Sequence, residues 1–418
     1  MRATRTAHVT AGLCGAIAAL ACLAPAAERV PETPPAREAF SRARDRAAGY
    51  AGPGREAPDP AGVREVLIGY FGPDDPRHPE AGDLWCAARM AVDEANARGG
   101  FRGTPFRLVA GWSDSPWTAG ARHLTRMVYE DKVWAVLGGI DGPSTHLAEQ
   151  VVAKARLTLV SPAATDKTVN LANVPWMFSC LPGDHLLAPP LATEVAARAG
   201  GKPFLLVSAD DHDSHLFAVE LSKCLSERGL APCRHFEFRQ EEPDLRELVA
   251  RVLEPKAEAV ILAAGARTSA RLAAALRGGG FVGTIFGGPA MGRWRFLEEA
   301  GPAAEGVIFP LLYPPPGDPA DFAQAFQARF GRPPDYAAAH AYDAVRLLLA
   351  AIGKAGLNRA RIGDAVRDLS PWTGVTGAVT WDPLGSNTRA VRLGTIRQGA
   401  VRPLEAAAAA PPPPARGT

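Results

Sequence analysis

The feature that most constrains this chain is a repeated alternation. From Val66 onward a short apolar run is followed by an amphipathic stretch, and the pair recurs. Val66–Phe71 (VLIGYF) reads as a strand. Residues 83–98 read as a helix, with Ala87, Ala88, Ala91, Val92 and Ala95 at helical spacing and Gly99-Gly100 as its stop. Strands follow at 106–112, 134–138 and 157–161, separated by helices at 118–130 and 144–154. A second series begins with a helix at 186–198. It runs through strands at 204–208, 234–238, 259–263, 284–286 and 306–311, with helices at 216–227, 243–253 and 268–276 between them. Two helices, 321–330 and 337–355, come next, then two strand-like runs at 374–381 and 389–397. Alternating β and α segments build a parallel sheet covered by helices on both faces. Two such series predict an α/β fold of two Rossmann-like lobes, with the last two strands added to the second.

The ends read differently. Arg2 and Arg5 precede an uncharged apolar stretch, 9–27, with Ala24-Pro25-Ala26 as a small-x-small cleavage site, which reads as a secretory signal over 1–27. A membrane anchor and a lipoprotein signal using Cys22 are the alternatives. Residues 28–63 read as a disordered linker with one short helix at 36–48, and 405–418, with its AAAAA and PPPP runs, as a disordered tail. Export places Cys86, Cys180, Cys224 and Cys233 in an oxidising compartment. Their spacing fits no zinc or haem pattern, and it leaves open a Cys224–Cys233 bridge or four free thiols. A formal net charge of +2, with basic residues scattered among acids, gives no case for nucleic acid.

In open parallel sheets, ligands sit outside the carboxyl ends of the strands. The densest polar cluster, Asp210-Asp211-His212-Asp213-Ser214-His215, follows the strand at 204–208. It reads three ways: Asp211 and Asp213 meeting an amine or a hydroxyl-rich ligand, a metal site of His212, His215 and an acid, or a solvated loop capping a helix. Arg267 meets an anion in the cleft or sits in solvent. Tyr70 and Phe71 line the cleft or pack in the core; Trp85 and Trp176 are expected in the core. Gly278–Gly283 (GGGFVG) satisfies GxGxxG but follows a helix and precedes a strand, the reverse of a dinucleotide loop, so it reads as a turn. There is no GxSxG, GxxxxGK[ST] or HExxH. His340, on an Ala-rich helix, reads as a packed surface histidine. No nucleophile–base pair presents itself, so the expectation is a non-enzyme without cofactor.

Five segments carry a resemblance. AVDEANARGGFRGTPFRL ends at Leu108; AVLGGIDGPST spans 135–145; LTLVSPAATD spans 157–166; PDYAAAHAYDAVRLLLAAI spans 334–352; GVTGAVTWDPLGS spans 374–386. In this order they resemble the periplasmic leucine/isoleucine/valine-type binding proteins of the type I periplasmic-binding fold, over about 65–401. The resemblance implies two lobes joined by three crossings, near Gly183, near 309–311 and near 373–374. Lobe one would be 64–183 with 311–373, and lobe two 184–310 with 374–404. It implies a ligand held by the loops after the third and fourth strands, here Asp141, Gly142 and Ser144, then Ala163 and Thr165. Ser144 and Thr165 either touch ligand or cap helices. Asp184 matches a family acid near the hinge. The chain also departs from the pattern: Gly142 stands for a binding Ser, Asp213-Ser214 for Tyr-Gly, Gly265 for an aromatic contact and Ala290 for the amine-holding acid. The implied role is a monomeric extracytoplasmic receptor for a small polar molecule that serves the membrane permease of an ABC importer. A sensor of the same fold is the alternative.

Overall fold

The apolar runs form strands whose residues are buried along most of their length, as expected where helices cover both faces. In the computed structural model, which describes residues 54–313 and 320–405, they assemble into two large sheets. The first is five-stranded and wholly parallel, in the order β2 (Phe106–Gly111), β1 (Val66–Phe71), β3 (Ala135–Gly138), β4 (Leu159–Ser161), β5 (Met177–Ser179). The second has seven strands in the order β14 (Ala400–Pro403), β13 (Arg392–Arg397), β10 (Ile308–Leu311), β9 (Thr284–Gly287), β8 (Ala259–Ala263), β6 (Phe204–Ala209), β7 (Arg234–Phe238). Strands β6 to β10 are parallel; β13 and β14 add antiparallel at one edge.

Helices α1 (Gly82–Ala97), α2 (Ala121–Tyr129) and α3 (Gly142–Ala155) belong to the first sheet, and α4 (Asp184–Ala199), α5 (His212–Ser226), α6 (Arg246–Leu253), α7 (Ala266–Gly278) and α8 (Trp294–Ala300) to the second. The chain then returns: α9 (Ala320–Phe330), α10 (Tyr336–Ala355) and α11 (Arg359–Asp368) flank the first sheet. Each sheet has a separate apolar layer on either face. Ile68, Leu137 and Val160 pack with Ala341, Val345 and Leu348 of α10 on one face of the first sheet, and Phe71, Val136 and Leu159 with Leu124 and Leu147 on the other. Leu205, Val207 and Val260 face one layer of the second lobe; Leu206, Ile261 and Phe286 face the other. Successive strand residues thus feed opposite layers, as the pleat requires.

One expectation needs correction. The run at 374–381 is not a strand of the second sheet. It is part of a hairpin, β11 (Trp372–Gly374) with β12 (Gly377–Val379), and Val375, Val379 and Trp381 are buried in the first lobe's core. The cause is Asp343 on α10, which accepts hydrogen bonds from the Val375 and Thr376 amides (both 2.8 Å) and the Thr376 hydroxyl (2.7 Å). Gly374 permits this approach, because a Cβ there would lie 2.2 Å from the Asp343 carboxyl. The third passage between the lobes therefore falls between Asn387 and β13. There the Asn387 side-chain amide donates to Cys180 O at 2.5 Å, tying the third crossing to the first.

His340 is a second correction. It is fully buried rather than at the surface; Leu312 O lies 3.2 Å from its Nε2, and Arg389 donates to that same carbonyl (3.1 Å). The four described cysteines are free, with Cys224 buried in α5 and Cys233 exposed, so they form no bridge. Gly278–Gly283 joins α7 to β9 as a turn. No described helix is long and apolar enough to cross a membrane. The expected signal, most of the linker with its short helix, Cys22 and most of the tail lie outside the described residues.

Candidate binding cleft

The loops after the carboxyl ends of β3 and β4 in one sheet, and of β6, β7, β8 and β9 in the other, line one cleft of about 1000 Å³ between the lobes. That volume is at the upper end for small-molecule sites. From the first lobe, Ile140 and Asp141 after β3, Ala163 and Thr165 after β4, and Pro79 and Glu80 ahead of α1 line it. From the second lobe come Asp211 and Asp213 after β6, Gln240 and Glu241 after β7, Ala264, Gly265, Arg267 and Arg271 after β8, and Ala290 and Arg293 after β9.

Six of the ten sequence-expected residues line this space: Asp141, Ala163, Thr165, Asp211, Asp213 and Arg267. The other four stand behind it. Ser144 is fully buried at the start of α3, where Asp141 is the N-cap. Asp141 accepts from the Ser144 amide at 2.8 Å, and the Ser144 hydroxyl accepts in return from the Asp141 amide at 3.3 Å, as well as from the Ile140 amide at 3.0 Å. This reciprocal arrangement is a capping box, so the Ser144 hydroxyl is occupied by the helix start. Tyr70 lies in the core against Trp85, with ring centroids 5.1 Å apart. Asp184 sits beneath Thr165: its amide donates to Thr165 O at 2.8 Å, and the Thr165 hydroxyl bonds its carboxyl. Burial holds that carboxyl well above the usual range. Gly142 meets the other lobe instead, its amide donating to both oxygens of Asp213 at 3.0 and 3.2 Å. A Cβ at 142 would lie 2.3 Å from Asp213 Oδ1, so glycine is what lets the lobes touch there.

Charged side chains of both lobes reach the cleft. Asp211 caps α5 by accepting from the Ser214 amide at 3.1 Å, and its second oxygen is buried with no partner among the described residues. Burial first, then the charge of Asp141, pushes Asp213 up to about 7. Arg267 is tied to Glu299 at 2.8 Å, with its side chain 57% exposed. Carboxylates thus face the cleft near the start of α5 and guanidiniums near the start of α7.

Two sets of contacts hold the lobes together beside the cleft. On one flank Arg293, ahead of α8, donates to Asp335 at 2.7 Å and to Glu80 O at 3.0 Å, and lies 3.5 Å from Asp83. On the other, Gly142 meets Asp213, Lys167 pairs with Glu220 of α5, and His212 Nε2 lies 2.9 Å from Asp166.

A family model described as periplasmic binding protein matches residues 68–400, which takes in both lobes and the cleft. The chain belongs to that family. Members are binding proteins, not enzymes. This periplasmic binding protein is 23% identical over 199 residues to a curated amino acid binding protein of Pseudomonas aeruginosa, a match spanning 47% of this chain and 53% of that relative, about half its length. Its fold is similar to that of LivJ, a branched-chain amino acid transporter substrate-binding protein from Streptococcus pneumoniae, in complex with isoleucine: TM-score 0.74, 22% identity, 81% of this chain and 99% of that one. It is also similar to LivK, a leucine-binding protein from Thermotoga maritima (TM-score 0.72, 21% identity, 81% and 98% coverage), and to an ABC transporter substrate-binding protein from Desulfitobacterium hafniense in complex with Leu (TM-score 0.67, 23% identity, 81% and 100% coverage).

Sequence reasoning missed Glu80, Gln240, Arg271 and Arg293 in this binding protein's cleft. Glu80 and Gln240 follow β1 and β7, so the rule about strand ends could have found them. Arg293 likewise follows β9, but a 3-10 turn (Pro289–Gly292) stands between them in a stretch where no helix was expected.

Proposed function

We propose that this chain is the extracytoplasmic receptor of an ABC importer, and that it captures a small polar ligand, an amino acid or a related amide or carboxylate, by closing its lobes. The observation that carries the reading is the cleft itself: Ala163 and Thr165 of one lobe face Asp211, Asp213 and Arg267 of the other across it. A ligand seated on the first lobe gains the second lobe's contacts only when the cleft is shut, and that differential affinity shifts the population toward closure. Moving such an equilibrium from 1:99 to 99:1 takes about 5.5 kcal/mol. A few charge-assisted hydrogen bonds at about 1.5–3 kcal/mol each supply it. The unpartnered oxygen of Asp211 is suited to an ammonium group. The solved relatives bound to isoleucine and leucine support the amino-acid class. The acids and arginines around this cleft favour a ligand more polar than either.

The test begins with thermal shift against amino acids, amides, small acids and polyols. A ligand at 100 times its Kd adds about 2.7 kcal/mol of stability. Thr165→Ala then weakens that ligand in calorimetry by about tenfold, the worth of one hydrogen bond to a charged group, and leaves the apo protein folded. Unchanged affinity would remove the first-lobe half of the site. Loss of solute uptake on deleting the gene, restored by the wild-type chain, tests the importer role; undiminished uptake would refute it.

A further inference from the structure

One side-chain cluster is not accounted for by solute capture. Asp166, in the loop after β4, has a fully buried side chain, and both of its oxygens are committed. Oδ1 accepts the Thr168 amide and hydroxyl, each at 2.7 Å. Oδ2 faces two imidazoles at once: His146 Nε2 of α3 at 2.8 Å and His212 Nε2 of α5 at 2.9 Å. The nitrogens and the carboxylate oxygen all lie within 4.8 Å of one another. The rings are edge-on, interplanar angle 86°, so their nitrogens converge on one point without stacking.

We infer that His146, Asp166 and His212 form a binding site for a divalent transition-metal ion of the zinc, nickel or copper class, with ligands from both lobes. Two imidazoles and one carboxylate are the donor set of such ions, whereas magnesium and calcium take oxygen ligands. Zinc needs Zn–N near 2.0–2.1 Å and Zn–O near 2.0–2.2 Å. In a tetrahedron of such bonds the ligand atoms stand about 3.3 Å apart, so small rotations about the histidine side chains bring the three into place. The surroundings fit the same purpose. Thr168 fixes the orientation of Asp166, and Glu149 Oε2 lies 3.7 Å from Nδ1 of His146. A carboxylate behind a ligating imidazole is the usual outer partner at metal sites. Glu149 is only 4% exposed, and its other oxygen has no partner among the described residues, so a cation nearby would help to balance this buried acid. The side chain of His212 is 42% exposed, which leaves a path for the ion and room for water as a fourth ligand. His215, by contrast, lies 3.4 Å from Glu237 and is outside the cluster, so the helical pair His212–His215 is not the site.

Because two ligands belong to the first lobe and one to the second, a bound ion also holds the lobes together. That consequence rests on the closure mechanism; the site itself does not. The test uses untagged, chelator-stripped protein titrated with zinc chloride in calorimetry and with cobalt chloride by visible absorption. The expected result is one ion per chain and the visible bands of low-coordinate cobalt. His212→Ala, at an exposed position, and His146→Ala each abolish both signals, and His215→Ala leaves them intact. Glu149→Gln lowers zinc affinity about 10–100-fold. Absence of binding to the wild-type chain, or binding that survives both His212→Ala and His146→Ala, overturns the site. If zinc binds as expected but leaves the affinity for the solute unchanged, the site stands and the closure mechanism fails.

Discussion

The two flanks of the cleft join the same pair of lobes by opposite means. On one, Arg293 is buried with Asp83 and Asp335, and Arg332 shares Asp83 at 2.7 Å. The side chains of Arg293, Asp83 and Asp335 are 8%, 3% and 2% exposed, and the Trp294 indole closes the cluster by donating to Asp83 at 2.6 Å. On the other flank one partner of each pair reaches solvent: Lys167 is 41% exposed beside Glu220 at 9%, and His212 42% beside Asp166 at 0%. The difference teaches where each flank's energy lies. A buried ion pair is held by the cost of leaving either charge alone, whereas an exposed one breaks and re-forms at little cost. The proposed opening and closing is therefore easier to accommodate on the histidine flank. Under that proposal the Arg293 flank either stays shut as the lobes move or sets the barrier to their parting.

The sharpest way to break this comparison is Arg293→Ala. It leaves Asp335 and Asp83 facing each other in the interior with only Arg332 to neutralise them. The expected loss is about 3–5 kcal/mol in urea unfolding, the cost of orphaning a buried charge. A loss under about 1 kcal/mol, the level of exposed pairs, would show that this flank is solvated in solution and that the two flanks are alike.

The fold was more legible in the sequence than this asymmetry. Continuous apolar runs such as VLIGYF and AVILA are specified locally, and the structure places strands on them. Short elements whose stability comes from neighbours were missed: β5 is three residues long and α8 seven. The hairpin β11–β12 was assigned to the wrong lobe because only the distant Asp343 decides where it docks. For the cleft, loops after strands could be read, so Thr165 and Asp211 were reachable. Whether a given loop side chain points into the cleft or into a helix cap is a matter of rotamer and packing, and Ser144 went to the cap. The convergence of His146 with His212 joins positions 66 residues apart on different lobes, which no local pattern encodes.

The waist supplies the next test, because it separates acid sensitivity of the buried side from that of the histidine flank. Burial first, then the nearby Arg389, lowers His340 to about 3, so the ring is neutral in the folded protein near neutral pH. The sign follows from linkage: a histidine that stays neutral when folded but charges when unfolded stabilises the fold at high pH. That contribution is lost as pH falls from about 6.5, the ordinary value, toward 3. At pH 5 the loss is about 2 kcal/mol. His340→Leu is expected to flatten this part of the curve, so that the stability difference between pH 7 and pH 5 shrinks by about that amount. An unchanged difference would move the acid sensitivity to the other flank.

The smallest effect is expected from Glu220→Gln, which leaves the half-exposed Lys167 as the unpaired partner. Lys167 follows β4 in the first lobe, and its ammonium meets Glu220 of α5 across the lobe boundary. The lysine is 41% exposed while the glutamate is 9% exposed, so one partner is well hydrated and keeps most of its solvation when the pair breaks. The expected cost is therefore within about 0–1 kcal/mol, decreasing further as salt is added. If both flanks were built alike, this substitution would cost as much as Arg293→Ala and be indifferent to salt. A salt-dependent fraction of a kcal/mol here, beside a salt-insensitive loss several times larger at Arg293, is the pattern by which one flank yields and the other holds.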